Sequence, residues 1–286
     1  MAMKILVTGA GGYIGRHVCK CLLDMGVSVI ACDHILDGLD ERAERISTDI
    51  FSGSETIFDE VGRPDRCLHM AWKDGFIHNS DAHMLLLSRH FEFLRNMTKG
   101  GAKHLAVMGT MHEVGYWEGA IKEDTPCNPS SQYGIAKNAL RASLMSIFKD
   151  TDVHVQWLRA YYIYGDDFRN HSIFTKLLQA ERDGAENFPF VAGKNKYDFI
   201  HVDELAKMIA FTVLQTEVTG IINCCTGIPM SIAEKTVEFI KENKMKIKLD
   251  YGAFPDRPYD SPAIWGDTEK ISKILLNAQK QAGERY

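Results

Sequence analysis

Short apolar runs alternate along this chain with longer stretches whose apolar positions recur every three or four residues. The first pattern reads as buried strand, the second as amphipathic helix. Lys4–Thr8 is apolar and partly β-branched, as a strand covered on both faces should be. Ile14, Val18, Leu22 and Met25 then follow at helical spacing until Gly26 stops the helix. Val27–Cys32 reads as the next strand. Strand-like runs recur at 45–50, 65–71, 104–109, 152–159, 220–225 and 246–250. Helical patterns lie between them at 54–61, 82–98, 130–148, 172–183, 202–216 and 231–243, with a last helix to about 278. Such alternation predicts an α/β fold built on a doubly wound parallel sheet, with ligands at the carboxyl ends of the strands. Asp33, Asp49, Ala71 and Thr110 all fall at such ends. After Gly165 the chain turns more polar and irregular. We therefore expect a dinucleotide-binding domain over 1–165, to which the chain returns at about 196–222. Residues 166–195 and 223–286 are expected to build a smaller α/β substrate lobe.

The junction of the first strand and helix is Gly9-Ala10-Gly11-Gly12-Tyr13-Ile14-Gly15. Glycines at 9, 12 and 15 let the backbone turn tightly and approach a pyrophosphate, whose charge the helix N-terminus favours. Asp33 ends the second strand, where a carboxylate can accept from both ribose hydroxyls and repels a 2′-phosphate. This makes the fold Rossmann-type and the expected cofactor NAD over NADP. Arg16, directly after the third glycine, is the opposing feature.

Charge and composition remove other classes. The formal net charge is −5, and no basic block suggests nucleic acid or an anionic membrane surface as a partner. No apolar stretch approaches the ~18 residues of a membrane span. The seven cysteines are an odd number without Cys-x-x-Cys, several of them in apolar runs, as in a reduced cytoplasmic protein. The opening residues lead straight into a strand with no signal-peptide pattern. None of the eleven histidines has metal-site spacing, so no metal is expected, and His83 and His90 share a helix face without a third partner.

Tyr133 and Lys137 stand four apart at the start of the 130–148 helix, hence on one face. A phenol titrates near pH ~10, and a neighbouring ammonium favours its phenolate. The pair can serve as an acid–base device. Alone, the same spacing also describes a solvated helix face.

Taken together, these residues resemble an extended short-chain dehydrogenase/reductase of the NAD-dependent nucleotide-sugar epimerase/dehydratase group. The resemblance covers nearly the whole chain. Its anchors are Thr8–Gly15, Asp33, Asp49-Ile50, His69-Met70-Ala71, Thr110, Tyr133-Gly134-Ile135-Ala136-Lys137, Leu158–Gly165, Asp198–Asp203, and Arg257-Pro258 followed by Asp267. It implies that Tyr133 is the acid–base, that Lys137 lowers its pKa and holds the nicotinamide ribose, and that Thr110 binds the same sugar oxygen. It implies that Gly9, Gly12 and Gly15, with Tyr13 and Ile14, hold the pyrophosphate. Asp33 would take the adenosine ribose, Asp49 and Ile50 would flank the adenine, and Met70 and Ala71 would line the cofactor. Arg257 would meet the diphosphate of a nucleotide-sugar substrate, and His112 is a further candidate contact. A homodimer through helices 82–98 and 131–148 is also implied.

The chain departs from the family pattern at Tyr197, Tyr162 and Arg141, where an arginine, an asparagine and a glutamate are usual. Lys194 or Lys196 could replace the first charge. In dehydratases an acidic residue or pair follows the active-site threonine. Here Met111 and His112 follow Thr110, and Glu113 arrives one residue late. A 4-epimerase or 4-ketoreductase is therefore expected ahead of a 4,6-dehydratase. Some proteins of this fold are non-catalytic, cofactor-sensing regulators, but those typically lack the tyrosine or lysine present here.

Overall fold

A computed structural model describes residues 3–165, 168, 170, 172–254 and 261–283. Its centre is a seven-stranded sheet. The strands are β1 (Lys4–Thr8), β2 (Ser28–Cys32), β3 (Glu44–Ile46), β4 (Arg66–His69), β5 (His104–Thr110), and later in the chain His154–Ala160 and Gly220–Cys224. Every pairing in this sheet is parallel. Ile5, Leu6 and Val7 are fully buried, which explains why the run is apolar rather than alternating. One face is covered by α1 (Tyr13–Asp24) and, from later in the chain, the helices Val202–Val213 and Glu269–Gly283. The other is covered by α2 (Ile57–Glu60), α4 (Leu87–Gly100) and α5 (Gln132–Ile147), with α3 (Ala82–Leu85) packed on α4 and α5. The 82–98 pattern thus forms two helices, separated at Leu86.

Four short strands form a second sheet, with a fifth laid beside it. β6 (Gly119–Ile121) follows β5, β7 is the His154–Ala160 strand, and β8 (Tyr162–Tyr164) comes directly after it. Then come α6 (Ile173–Arg182), β9 (Asn187–Phe190), β10 (Lys196–His201), the 202–213 helix as α7, and the 220–224 strand as β11. β12 (Pro229–Ser231), α8 (Ile232–Glu242), β13 (Lys248–Tyr251), β14 (Ala263–Gly266) and the 269–283 helix, α9, complete the chain. The large sheet runs β11-β7-β5-β4-β1-β2-β3, the second β12-β10-β14-β6 with β8 also on β10, and β13 pairs β9 alone. So β6 and β8 leave the first 165 residues to build the lobe, while α9 packs back on α7 and β11. Strands of three or four residues show no readable alternation, which is why β6, β9, β12 and β14 do not stand out in the sequence.

One carboxylate ties the lobe together. Asp198, in β10, is fully buried. Its Oδ1 accepts the Thr226 amide at 2.9 Å and the Thr226 hydroxyl at 2.6 Å. Its Oδ2 accepts the amides of Gly227 at 2.8 Å and Gly266 at 3.2 Å. Four donors offset the cost of burying the charge. No helix among the described residues is long and apolar enough to cross a membrane.

Candidate active site

Strand order reverses where β1 has β2 on one side and β4 on the other. A crevice opens at the carboxyl ends of the strands at such a point. Thr8 and His69, the last residues of β1 and β4, are register partners there. The glycine turn fills the crevice floor with bare backbone. Gly9 has φ +70°, and a Cβ on it would stand 2.6 Å from the Ala71 nitrogen. A Cβ on Gly15 would meet the Gly9 carbonyl oxygen at 2.1 Å. Gly12 caps α1 with extended backbone; no side chain caps the helix and its first turn carries no acid. Tyr13 opens the helix, its hydroxyl against Gly165, and Ile14 packs on the core beneath.

Asp33 stands at the mouth of this turn. Its Oδ2 accepts the Gly11 amide at 3.0 Å and its Oδ1 the His34 amide at 2.7 Å. Asp49 accepts the Phe51 amide at 2.9 Å, and Ile50 beside it is buried. The amides of Met70 and Ala71 donate to the Thr8 hydroxyl oxygen at 3.2 and 3.3 Å. A tight backbone cradle, a helix end without its own carboxylate and an acid at the end of β2 fit a dinucleotide.

The second half of the site is built on α5. Ser131 caps the helix by accepting the Gly134 amide at 3.2 Å. The Tyr133 amide donates instead to the His78 carbonyl at 2.9 Å, which ties the 72–80 loop to the start of the helix. His78 stacks on the Tyr133 ring at 5.5 Å, and His112 and His83 lie 6.2 and 5.3 Å from it. The Thr110 hydroxyl oxygen accepts the His112 amide at 3.3 Å, and the Thr110 hydroxyl draws the Tyr133 phenol down. His112 itself is held neutral, at about 4, by burial and by His78.

Lys137 departs from expectation. It is buried, donates to the Met108 carbonyl at 2.6 Å, and lies 3.8 Å over the Trp72 ring but 5.9 Å from the Tyr133 centroid. Burial brings its own pKa down to about 7, against the pull of Glu113. The Tyr133 phenol is not depressed. Burial pushes it up, opposed by the Thr110 hydroxyl and reinforced by Glu113.

Glu113 does not face the pocket. Its side chain is wholly buried. Oε1 accepts the Thr110 amide at 2.6 Å and the Trp157 indole N–H at 2.8 Å. Oε2 faces Arg159 at 3.5 Å and Arg141 at 3.7 Å. Arg141 is thereby explained as a partner for this charge. Gly109 is needed because a Cβ there would meet Trp157 Nε1 at 2.2 Å and Glu113 Oε1 at 2.7 Å. The other two departures also pair: Tyr162 stacks on Tyr197 at 4.1 Å, an arrangement with no counterpart in the separate sequence readings. Lys194 and Lys196 are exposed.

The structure therefore brings Thr110, His112, Tyr133 and Lys137 together, and gathers Gly9, Gly12, Gly15, Asp33, Met70 and Ala71 round the turn. Asp49 and Ile50 lie just after β3. Arg257 lies outside the described residues. Sequence reading missed Trp72 and did not bring His69, His83 and His90 together around it. The one signal was a tryptophan directly after a strand-end alanine. Among the described residues no group of three or more His, Cys, Asp or Glu could hold a metal.

This sheet, its glycine turn and the crevice at its order reversal define a Rossmann-type dinucleotide-binding protein. The chain belongs to the NAD dependent epimerase/dehydratase family, whose model matches residues 5–225. It is 45% identical over 271 residues to a dTDP-6-deoxy-L-talose 4-dehydrogenase (NAD(+)) of Aggregatibacter actinomycetemcomitans, covering 92% of this chain and 99% of that one. Its fold matches a UDP-N-acetylglucosamine 4-epimerase from Methanobrevibacter ruminantium M1 with TM-score 0.83 at 20% identity, over 96% of this chain and 92% of that one. It also matches DesIV, a dTDP-glucose 4,6-dehydratase from Streptomyces venezuelae, with TM-score 0.79 at 19% identity, over 95% and 90%. One fold thus carries all three reactions, and it does not choose between them.

Proposed function

We propose that the chain is an NAD-dependent oxidoreductase that works at C4 of a nucleotide-linked 6-deoxyhexose, the dTDP-sugar being the first to test. The place of Glu113 carries this reading. A 4,6-dehydratase needs an acid–base group at C5 and C6 besides the one at C4. The first carboxylate after Thr110, Glu113, is spent on the Thr110 amide, Trp157 and two guanidiniums. The near full-length match to a 4-dehydrogenase supports oxidoreduction over epimerisation.

The glycine turn, Tyr13, Ile14 and Asp33 would hold NAD, with Asp49, Ile50, Met70 and Ala71 along it. When bound, NAD supplies the hydride acceptor, and in its reduced form the donor. Tyr133 moves the proton at the C4 oxygen: its raised pKa keeps it a phenol, ready to donate when a 4-ketone is reduced. Thr110 holds the same oxygen. In the oxidative direction Tyr133 takes the proton, and a charged Lys137 favours the phenolate that requires. His112, neutral and beside Tyr133, contacts the sugar. Met84 and Leu85 on α3 and Ile135 and Ile147 on α5 are exposed, which supports a homodimer through these helices.

The test is incubation with dTDP-6-deoxy-L-talose and NAD, then with the 4-keto sugar and NADH. Stoichiometric cofactor turnover in both directions is expected. Epimer formation without net NADH, or water loss from dTDP-glucose, would replace this reading.

A further inference from the structure

Lys137 is a cation buried to 3% exposure, and a buried ammonium must be compensated. The hydrogen bond it makes is to the Met108 carbonyl. The nearest carboxylate, Glu113, is already engaged by Arg159 and Arg141. What lies against the charge is the ring of Trp72, 3.8 Å from Nζ. The electron-rich face of an indole is the best aromatic partner for a cation, and more so away from water.

Trp72 is itself held in place. Its Nε1–H donates to His83 Nδ1 at 3.0 Å. That makes His83 Nε2 the protonated nitrogen, and it donates to the Ile77 carbonyl at 2.9 Å. The His90 ring stacks on Trp72 at 4.2 Å and 16°. His90 is fixed in turn by a buried chain. The Thr8 hydroxyl oxygen already accepts two amides, so its proton goes to His69 Nδ1 at 2.8 Å. His69 Nε2–H then donates to His90 Nδ1 at 2.8 Å. Burial holds His69 and His90 neutral, so the chain adds no charge to compete with the ammonium.

We propose that Trp72 is a positioning residue for the reaction, whose ring keeps the Lys137 ammonium charged and in place beside Tyr133. The hydrogen-bonded line from Thr8 through His69 and His90 sets that ring. The inference rests on the reading of Tyr133 and Lys137 as the catalytic pair. The groups that face Lys137 are Glu113 after β5, Tyr133 on α5, Trp72 and His69 around the end of β4, and His90 on α4.

The test reads Lys137 directly, by NMR titration of the full chain with lysine labelled at Cε. In Trp72→Leu the Lys137 midpoint should fall by about one unit, and in Trp72→Phe by less, since benzene is a weaker cation partner. The alkaline limb of kcat/KM should move with it. An unmoved midpoint in a Trp72→Leu chain that melts like the parent overturns the inference. Should Trp72→Leu fail to fold, fluorinated tryptophans drain the ring of electrons without changing its shape. The midpoint should then fall stepwise with fluorine number, and a flat series overturns the inference equally. Lys137→Met keeps the two claims apart: full turnover in that variant removes the catalytic reading, whatever the titration of Lys137 shows.

Discussion

Glu113 accepts the indole N–H of Trp157 through Oε1 at 2.8 Å, in the interior and on the same oxygen that caps Thr110. An acid one residue out of place for sugar chemistry is thus the post that holds Thr110, the threonine proposed to bind the sugar oxygen. In Glu113→Gln the amide oxygen can keep both donors, but its NH2 then faces two guanidiniums. Leaving Arg159 buried without its counter-charge should cost ~3–5 kcal/mol of stability. Denaturant unfolding should show that loss, while kcat per folded molecule falls less than about tenfold. A loss of a thousandfold in kcat at unchanged stability would make Glu113 an acid–base group after all.

Tyr133→Phe removes the group proposed to move the proton and keeps the ring. General acid–base catalysis is worth ~10²–10⁴ in rate, so kcat should fall by about that factor with KM little changed. Thr110→Val keeps shape and removes the hydroxyl that lowers the Tyr133 phenol. It should lower kcat by about tenfold or more. Steady-state kinetics at one pH in both directions decide this, and near-normal turnover in Tyr133→Phe would remove the assignment.

Asp33→Asn keeps an oxygen that can accept the Gly11 amide and removes the charge. Its kcat/KM with NAD should fall roughly tenfold while that with NADP rises, since repulsion of the 2′-phosphate is lifted. Initial rates with the two cofactors check it. An unchanged NAD to NADP ratio would take Asp33 out of the ribose site.

Acid should unfold the chain sharply. Burial holds His69 at about 3, His104 and His112 at about 4, and His90 lower still. These folded values lie below the unfolded one, so the unfolded chain binds more protons below pH ~6.5. Stability is full above that pH and is lost as pH falls towards the folded values. Each imidazole contributes up to ~1.4 kcal/mol per pH unit, against a total reserve of ~5–15 kcal/mol. Four together should bring a cooperative unfolding midpoint near pH ~4–5. Circular dichroism across that range checks it, and a chain still folded at pH ~3.5 would contradict it.

The large sheet and its turn were legible because their signals are local. The β1–turn–α1–β2 unit is contiguous, and backbone crowding at Gly9 and Gly15 leaves glycine no substitute. Tyr133 and Lys137 were legible as a spacing. Their electrostatics were not, because they depend on residues far off in sequence: Trp72 takes the ammonium and Glu113 stays inside. The lobe was hard to read for a different reason. β6, β8, β12 and β14 are three or four residues each and pair across long gaps. The single helix read at 82–98 breaks at Leu86 although its apolar spacing continues through the break.

The Asp198 knot has a consequence for the order in which the chain is made. A ribosome releases β10 well before Thr226 and Gly227, and Gly266 later still. Until that last amide emerges, the carboxylate lacks one of its four donors and β14 is missing from beside β10. The large sheet can close once β11 is out, whereas the second sheet waits for nearly the whole length of the chain. The second sheet is therefore among the last parts of a newborn molecule to take shape, and a chain cut short before Gly266 would carry the glycine cradle without that sheet finished.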